Sequence, residues 1–264
     1  MAFVENQGAR IYWDEQGQGE PILLIMGLGW PATMWYRTRP ALNARYRTVA
    51  FDNRGAGRSD VPSGPYAIAT MAADAAAVLD AAGIKSAHLL GASMGGMIAQ
   101  EFALRYNDRV RSLVLACTAC GGPHATQADP EVIRVLLQRE GTPAERAEAV
   151  VPFIYDVSTP RERIDEDLAI LSENYATAGG YMAQLQGILA WEAYTRLPEI
   201  RTPTLVIHGV NDRLVPAANA HLLASRISGA QLVKLPRASH IFMTDQPDIA
   251  QQCFLQFLAS QGTK

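Results

Sequence analysis

The stretch that decides the fold lies at residues 91–96, which read Gly-Ala-Ser-Met-Gly-Gly. It directly follows the apolar run 86–90 and directly precedes a helix-like run at 97–103. Ser93 is therefore predicted to stand on a tight strand-to-helix turn, where small neighbours let other parts of the chain approach closely. The helix N-terminus beneath its hydroxyl favours an anion there. A Gly-x-Ser-x-Gly motif occurs by chance in many chains, so its meaning depends on the rest of the sequence.

The composition favours one catalytic domain with an inserted piece. The chain has 264 residues, of which 48% are hydrophobic and 19% are charged, so it can bury a large core. The net charge is −3 without a basic stretch, so we expect a small, neutral or weakly charged ligand and no nucleic-acid or membrane partner. There is no targeting pattern at the N-terminus and no apolar run near the roughly 20 residues of a spanning helix. We expect a cytoplasmic monomer or homodimer.

The three cysteines are too few, and odd in number, for a disulfide framework, and they indicate a reducing compartment. Cys117 and Cys120 form a Cys-x-x-Cys motif, which in thioredoxin-like proteins opens a helix. Here residues 112–117 resemble a buried strand that runs into a loop, so we predict neither a redox role nor a metal site. Cys253 lies among the apolar positions of the last helix and is predicted to pack in the core.

Strand-like runs alternate with helix-like runs along the chain, which predicts an α/β fold. Several of these runs are continuously apolar, as expected for parallel strands that helices cover on both faces. Turn signals at residues 6–8 and 16–19 indicate an antiparallel edge at the start of the chain. We therefore predict a mostly parallel sheet with a mixed edge, whose strands are at 10–15, 21–26, 46–51, 86–90, 112–116, 204–208 and 231–234.

The strand signal disappears between Gly122 and Leu197, and helical periodicity takes its place. Helix-start or breaker signals at 129–130, 142–143, 159–160 and 179–180 divide this segment into about four helices. We predict a core domain made of residues 1–122 and 198–264, with residues 123–197 as a helical cap over the crevice where such sheets bind ligands. The cap is rich in aromatic residues, and we expect Tyr155 and Trp191 to line a substrate pocket.

Ser93 needs a general base and a carboxylate to act as a nucleophile at neutral pH. His240 lies in a loop between the last strand and the last helix, which makes it the best base by position. The other four histidines have weaker positions, because two fall in strands, one lies within a helix and one opens the inserted segment (His88, His208, His221 and His124). Asp212 follows the strand at 204–208 and is the candidate acid, since the loop at 117–123 contains no carboxylate.

The chain order Ser93, Asp212, His240 resembles that of the α/β-hydrolase fold superfamily, and in particular of its serine esterases and enol-lactonases. Three further stretches match the family: Phe-Asp-Asn-Arg-Gly-Ala-Gly-Arg-Ser at 51–59, His-Gly-x-x-Asp-x-x-Val-Pro at 208–216, and Ala-Ser-His at 238–240. The resemblance spans nearly the whole chain. It implies a catalytic triad of these three residues and, within 51–59, a loop pinned by mutual hydrogen bonds of Asp52 and Arg54.

The resemblance also implies an oxyanion hole made of two backbone N–H groups, those of Leu28 and Met94. The loop that carries Leu28 has Met26 where the family usually has histidine. Because the donor is a main-chain group, Met26 in place of histidine need not remove the oxyanion hole. Gly27 and Trp30 of the same loop are expected to line the substrate pocket.

These residues predict a serine hydrolase that cleaves carboxylic esters or lactones of a small, largely apolar substrate through an acyl-enzyme, without a metal or an organic cofactor. Haloalkane dehalogenases and epoxide hydrolases carry Asp at the strand-to-helix turn, where this chain has Ser93. These two activities are therefore disfavoured. Three other reactions reuse the same triad: carbon-carbon bond hydrolysis, cofactor-free haloperoxidase or perhydrolase chemistry, and acyl transfer to an alcohol. A hypothesis of another class is a non-catalytic or slow-turnover ligand receptor on a hydrolase scaffold.

Overall fold

A sheet of eight strands forms the centre of the computed structural model, which describes residues 2–138 and 140–261. The strands are Ala2–Asn6 (β1), Ala9–Gln16 (β2), Glu20–Ile25 (β3), Tyr46–Phe51 (β4), Ala87–Ala92 (β5), Val110–Ala116 (β6), Thr204–Gly209 (β7) and Gln231–Leu235 (β8). Their spatial order is β1-β2-β4-β3-β5-β6-β7-β8. The seven predicted strands are all present, and β1 adds an eighth.

The first two strands pair antiparallel, β1 with β2 and β2 with β4, and all the other pairs are parallel. The predicted mostly parallel sheet with an antiparallel edge is confirmed. In the register, Ile25 of β3 lies beside Gly91 of β5, and Ala92 of β5 lies beside Ala116 of β6. The loops that follow these strands therefore leave the sheet at the same edge.

Ten α-helices lie in the described part of the chain. They are Arg39–Asn43 (α1), Ile68–Ala81 (α2), Met94–Arg105 (α3), Pro130–Leu136 (α4), Pro143–Ile154 (α5), Arg161–Ser172 (α6), Ala178–Ala190 (α7), Ala218–Arg226 (α8), Phe242–Asp245 (α9) and Pro247–Ala259 (α10). Short 3₁₀ turns occur at Ala32–Arg37, Asn107–Arg109 and Leu197–Glu199. None of the helices in this described part has the length and apolar character to span a lipid bilayer.

Successive residues of β3 point to opposite faces of the sheet and feed two separate hydrophobic clusters. Leu23 and Ile25 pack in one cluster with α2 and α3, and Ile22 and Leu24 pack in the other with α1 and α10. Because both faces are covered, β3 is continuously apolar over its last four residues, all of which are buried. The apolar run that predicted a parallel strand thus reflects helices on both sides.

Helices α4 to α7 lie between β6 and β7 in the chain, within the inserted segment at residues 123–197. Side chains cap three of them: Asp129 accepts a hydrogen bond from the amide of Glu131, Thr142 forms a capping box with Glu145, and Thr177 accepts from the amide of Gly180. Prolines occupy the first positions of α4 and α5. The caps at Asp129 and Thr142 coincide with predicted helix-start signals, whereas the cap at Thr177 was not predicted and α6 begins after Pro160 without a side-chain cap.

The predicted division into a core and a cap, at residues 1–122, 123–197 and 198–264, stays a prediction. Met1, Arg139 and residues 262–264 lie outside the described residues. Strand β1 was predicted only indirectly, from the turn at 6–8, because its residues alternate between intermediate burial and exposure and give no buried apolar run.

Candidate active site

Ser93 occupies the turn between β5 and α3, as the sequence predicted, and its backbone is strained. Its φ of 56° and ψ of −120° are dihedral angles that a residue with a side chain rarely adopts, at a cost of about 1–3 kcal/mol. The turn is held on both sides of this residue, since the Ser93 amide donates to the carbonyl of Ala116 at 2.9 Å and the hydroxyl of Thr118 donates to the carbonyl of Ser93 at 2.7 Å. The surroundings thus impose the conformation that projects the Ser93 side chain from the sheet edge.

Two glycines of the motif are required by close backbone contacts rather than by flexibility. A Cβ atom on Gly91 would lie 2.2 Å from the carbonyl oxygen of Gly95, and a Cβ on Gly95 would lie 2.0 Å from the carbonyl oxygen of Ile25 in β3. Both distances are far inside van der Waals contact. The Gly-x-Ser-x-Gly pattern is therefore required because α3 approaches β3 and β5 so closely.

Asp212 and His240 meet at the same edge of the sheet. Asp212 lies in the turn after β7, and His240 lies in the loop between β8 and α9. The Nδ1 atom of His240 is 2.7 Å from Oδ2 of Asp212, and the Asp212 side chain is wholly buried. Its other oxygen, Oδ1, accepts the amides of Leu214 and Val215 at 2.9 and 2.8 Å. A buried carboxylate with these donors can orient the imidazole and stabilise its protonated form.

Burial alone would raise the pKa of Asp212. The attraction of His240, together with the hydrogen bonds of His208 and His240, outweighs burial and lowers that pKa to about 2. His208 of β7 places Nε2 at 3.1 Å from Oδ2 of Asp212 and at 2.7 Å from the carbonyl of Val215. His208 was predicted to have only a structural role in a strand, whereas in the structure it also contacts the candidate acid.

Ser93 and His240 both line a cavity of about 870 Å³ at the carboxyl edge of the sheet. Three elements that are distant in the chain, the turns after β5, β7 and β8, thus converge there. Among the described residues, no group of three or more His, Cys, Asp or Glu side chains is arranged to hold a metal ion. Cys117 also lines the cavity, but it is buried and free, and burial raises the pKa of its thiol.

The loop after β3 lies against the nucleophile. A Cβ on Gly27 would be 3.6 Å from Oγ of Ser93, and Leu28 lines the same cavity. Two buried side-chain amide groups from elsewhere in the chain hold this loop. Nδ2 of Asn53 donates to the carbonyl of Met26 at 2.9 Å, and Oε1 of Gln184 in α7 accepts the amide of Gly29 at 2.8 Å. The sequence did not assign either of these supporting roles.

The Gly-rich loop at residues 52–59 is held differently from the prediction. Asp52 and Arg54 were expected to bond each other, but Oδ1 and Oδ2 of Asp52 accept the amides of Ala32 at 2.6 Å and Arg58 at 2.8 Å. Arg54 instead forms a two-pronged ion pair with Asp74 of α2, at 2.6 and 2.7 Å. Both charges are structural, and the partner of Arg54 comes from a helix that the motif does not include.

Three of the four predicted pocket residues line the cavity, and one does not. Gly27, Trp30 and Tyr155 are part of its wall. Trp191 was predicted to join them, but it is buried and its indole Nε1 donates to Oε2 of Glu101 in α3 at 2.9 Å. The polar edge of the indole thus faces the buried carboxylate of Glu101. This hydrogen bond connects the end of the inserted segment to α3.

A buried carboxylate, Asp167 of α6, forms a polar cluster in the cavity wall that the sequence did not reveal. Its Oδ1 accepts the hydroxyl of Tyr36 at 2.5 Å and Nε of Arg37 at 3.2 Å, and its Oδ2 accepts the hydroxyls of Tyr155 at 2.9 Å and Thr244 at 2.6 Å. Burial and the neighbouring Asp167 raise the pKa of both tyrosines, which therefore stay neutral donors. The partners of Asp167 come from three distant segments, so no local motif signals the cluster.

Comparison with known proteins identifies the family of the chain. The family model described as alpha/beta hydrolase fold matches residues 20–247. The proposed carbamate hydrolase RutD of Azorhizobium caulinodans is 33% identical, over 97% of this chain and 98% of its own length. A poly(3-hydroxyalkanoate) depolymerase of Ectopseudomonas oleovorans is 31% identical, over 91% of this chain and 85% of its own length.

A solved structure shows the same fold along nearly the whole chain. The crystal structure of the enol-lactonase from Burkholderia xenovorans LB400 superposes with a TM-score of 0.85 at 28% identity, and it covers 98% of this chain and 100% of that one. The family match includes the turns that carry Ser93, Asp212 and His240. The chain is a member of the α/β hydrolase fold family and is similar to hydrolases within it.

Proposed function

We propose that this protein hydrolyses carboxylic esters or lactones of a small, largely apolar substrate through an acyl-enzyme on Ser93. The observation that carries the proposal is the contact of 2.7 Å between His240 and the buried Asp212, beside a cavity whose wall also includes Ser93 on its strained turn. Nucleophile, base and orienting acid are the three groups that acyl transfer requires at neutral pH.

In the proposed mechanism, the free Nε2 of His240 accepts the hydroxyl proton as Oγ of Ser93 attacks the substrate carbonyl carbon. The tetrahedral intermediate then collapses, the bond to the leaving oxygen breaks, and that oxygen receives from His240 the proton that came from Ser93. Water, deprotonated by His240, next attacks the acyl-enzyme. The second tetrahedral intermediate collapses as the bond to Oγ of Ser93 breaks, Oγ takes the proton from His240, and the acid is released. Asp212 stays ionised throughout and stabilises the imidazolium.

The oxyanion of each tetrahedral intermediate is proposed to lie between the amides of Leu28 and Met94. Within the described residues, neither amide has a hydrogen-bond acceptor, and both residues line the cavity. Met94 is the first residue of α3, so its amide also carries the positive end of the helix dipole. Two such donors that point at the developing charge are the usual electrostatic source of rate enhancement in acyl transfer.

Residues 123–197 are proposed to act as a cap over this site. All four helices of the segment contribute to the cavity wall, for example through Ile133, Val150, Leu168 and Leu185. A roof of apolar side chains excludes water from the reacting carbonyl and selects for apolar substrates.

A second candidate reaction is carbamate hydrolysis, which uses the same attack on an acyl carbon. It is favoured by the 33% identity to the proposed carbamate hydrolase RutD over nearly the full chain. Carbon-carbon bond hydrolysis, perhydrolysis and slow-turnover ligand binding on the same scaffold remain the alternatives to be separated by experiment.

The test is a substrate panel with the purified protein: p-nitrophenyl esters, five- to seven-membered lactones, p-nitrophenyl carbamates and a vinylogous diketone. We expect multiple turnovers with esters or lactones, and we expect Ser93→Ala to lower kcat by about 10⁴- to 10⁶-fold. Ser225→Ala, a change of another serine hydroxyl on the core helix α8, is the matched control and should leave the rate unchanged.

Three results would overturn parts of this proposal. A folded Ser93→Ala protein with the wild-type rate would remove Ser93 as nucleophile. Turnover of carbamates alone would favour the second candidate. Binding of the panel without any turnover would favour the receptor hypothesis.

A further inference from the structure

The cavity is larger than the hydrolysis of a small ester requires. Its volume of about 870 Å³ lies near the upper end of the range for small-molecule sites. The reaction itself uses only the end near Ser93 and His240. Much of the rest of the wall comes from α4, α5, α6 and α7, whose contributing side chains are mainly apolar. This leaves a large part of the cavity for a substrate group that does not react.

Three large apolar side chains of this wall also reach solvent. Ile133 is 38% exposed, Leu137 is 48% exposed and Leu189 is 75% exposed, and all three line the cavity. They are called the apolar rim below. Exposed apolar side chains that are continuous with a ligand cavity mark the place where an apolar ligand passes from protein to water.

The charges on the wall do not favour a charged substrate group. Apart from His240, the charged side chains that line the cavity are Arg37, Arg146 and Asp167. Arg37 pairs with both Asp167 at 3.2 Å and Glu166 at 2.6 Å, and Nη1 of Arg146 donates to the carbonyl of Gly141. Within the described residues, no buried charge on this wall lacks a partner, so an apolar group fits the cavity better than an anion or a cation.

We infer that the preferred substrate carries an unbranched aliphatic chain of about eight or more carbons, whose far end leaves the cavity over Ile133, Leu137 and Leu189. This inference rests on the proposed function, because it names the substrate class of the same site. Each methylene that leaves water for an apolar wall strengthens binding by about fourfold at most. The selectivity for long chains should therefore rise steeply until the chain passes the rim.

The first measurement is the ratio kcat/KM for p-nitrophenyl esters from acetate to dodecanoate, each below its micelle concentration. We expect kcat/KM to rise by at least 100-fold from acetate to octanoate and to level off beyond it. A maximum at acetate or butyrate would overturn the inference while leaving the proposed hydrolysis intact. An absence of turnover with every ester would instead count against the proposed function.

The second measurement tests binding without chemistry. The neutral methyl ketones 2-butanone and 2-undecanone mimic a short and a long ester, and Trp30 in the cavity wall provides a fluorescence signal. The Ser93→Ala protein should bind 2-undecanone at least 50-fold more tightly than 2-butanone. Equal affinities would overturn the inference even if the protein proves inactive towards all esters.

The rim itself is tested by the triple variant Ile133→Gln, Leu137→Gln, Leu189→Gln, in which exposed positions become polar and the fold should persist. We expect the KM for the decanoate ester to rise at least tenfold, and the ratio of kcat/KM for decanoate to kcat/KM for acetate to fall at least fivefold. Ile249→Gln, which changes an exposed isoleucine on α10 away from the cavity, is the matched control.

Equal losses for acetate and decanoate, or no loss for either, would overturn the inference. If the triple variant fails to fold, Leu189→Gln alone decides the question, because that side chain is the most exposed of the three. A dimer that dissociates in the variant, without any change in chain-length selectivity, would assign the rim to a second copy of the chain and would likewise overturn it.

Discussion

The carboxyl edge of the sheet and the inserted segment contribute to the same cavity in different ways. At the sheet edge, the positions of Ser93, Asp212 and His240 follow from the backbone, because each residue lies in the turn directly after a parallel strand. In the inserted segment, the cavity wall is built from side chains whose partners lie far away in the chain, as with Asp167 and Thr244. The positions of the candidate reacting residues are thus encoded near each residue in the sequence, whereas the shape of the cavity depends on tertiary packing.

The largest expected effect of a change at the sheet edge is on catalysis. Asp212→Asn keeps the shape of the side chain but replaces the acceptor of the His240 Nδ1 proton by a group that can favour the wrong tautomer. We expect kcat to fall by about 10³- to 10⁴-fold with little change in KM. Steady-state kinetics on the best ester checks this, with Asp248→Asn, an exposed acid on α10, as the control.

A loss of less than tenfold in the Asp212→Asn protein would contradict the assignment of Asp212 as the group that orients His240.

The second expected effect is on stability. It is measured by substituting one glycine at the sheet edge and one in the inserted segment. Gly95→Ala places a Cβ 2.0 Å from the backbone of β3, so we expect a loss of about 3 kcal/mol or more in the free energy of unfolding. Gly179→Ala in α7 meets no atom within 4 Å and should be neutral or stabilising by up to about 1 kcal/mol. Thermal and urea unfolding of both variants measure the difference. Similar stabilities would contradict the close approach of α3 to the sheet.

This contrast also describes what the sequence could and could not predict. Continuous apolar runs and glycine spacing are consequences of backbone packing, so they predicted seven strands, the turn at Ser93 and the loops of Asp212 and His240. Strand β1 has neither signal, because its outward side chain Phe3 is half exposed and it pairs only with β2.

The side-chain partners could not be predicted, because they join segments that are far apart in the chain. The motif that contains Arg54 gave no sign of Asp74, which lies 20 residues away in α2. Trp191 has the size and polarity of a pocket residue, and only the nearby Glu101 of α3 explains why it points elsewhere. Asn53 and Gln184 hold the loop at Met26 to Gly29, but no sequence pattern links them to it.

A smaller effect is expected where the two regions join. Oδ2 of Asp245 accepts the amide of Ser239, next to His240, and its Oδ1 accepts the hydroxyl of Thr159 and the amide of Asp156 from the inserted segment. Burial, outweighing these hydrogen bonds, raises the pKa of Asp245 to about 6. The folded protein therefore holds this proton more tightly than the unfolded chain does.

The sign of the pH dependence follows from that raised pKa. The contribution of protonated Asp245 to stability is fully present below the ordinary value of 3.8 and is lost as the pH rises through about 6. The Tm of the wild type minus the Tm of Asp245→Asn should thus decrease as the pH rises from 4.5 to 7. A constant difference over this range would contradict the raised pKa and the burial that causes it.

The most direct test of the central claim is to expose the purified protein to a fluorophosphonate and to locate the adduct by peptide mass mapping. Such a probe reacts only with a serine that is accessible and activated by a base. The account predicts one adduct per chain, on Ser93, and its loss in the Asp212→Asn protein. No adduct in a folded protein, or an adduct on another serine, would contradict the assignment of Ser93, Asp212 and His240 as a working triad.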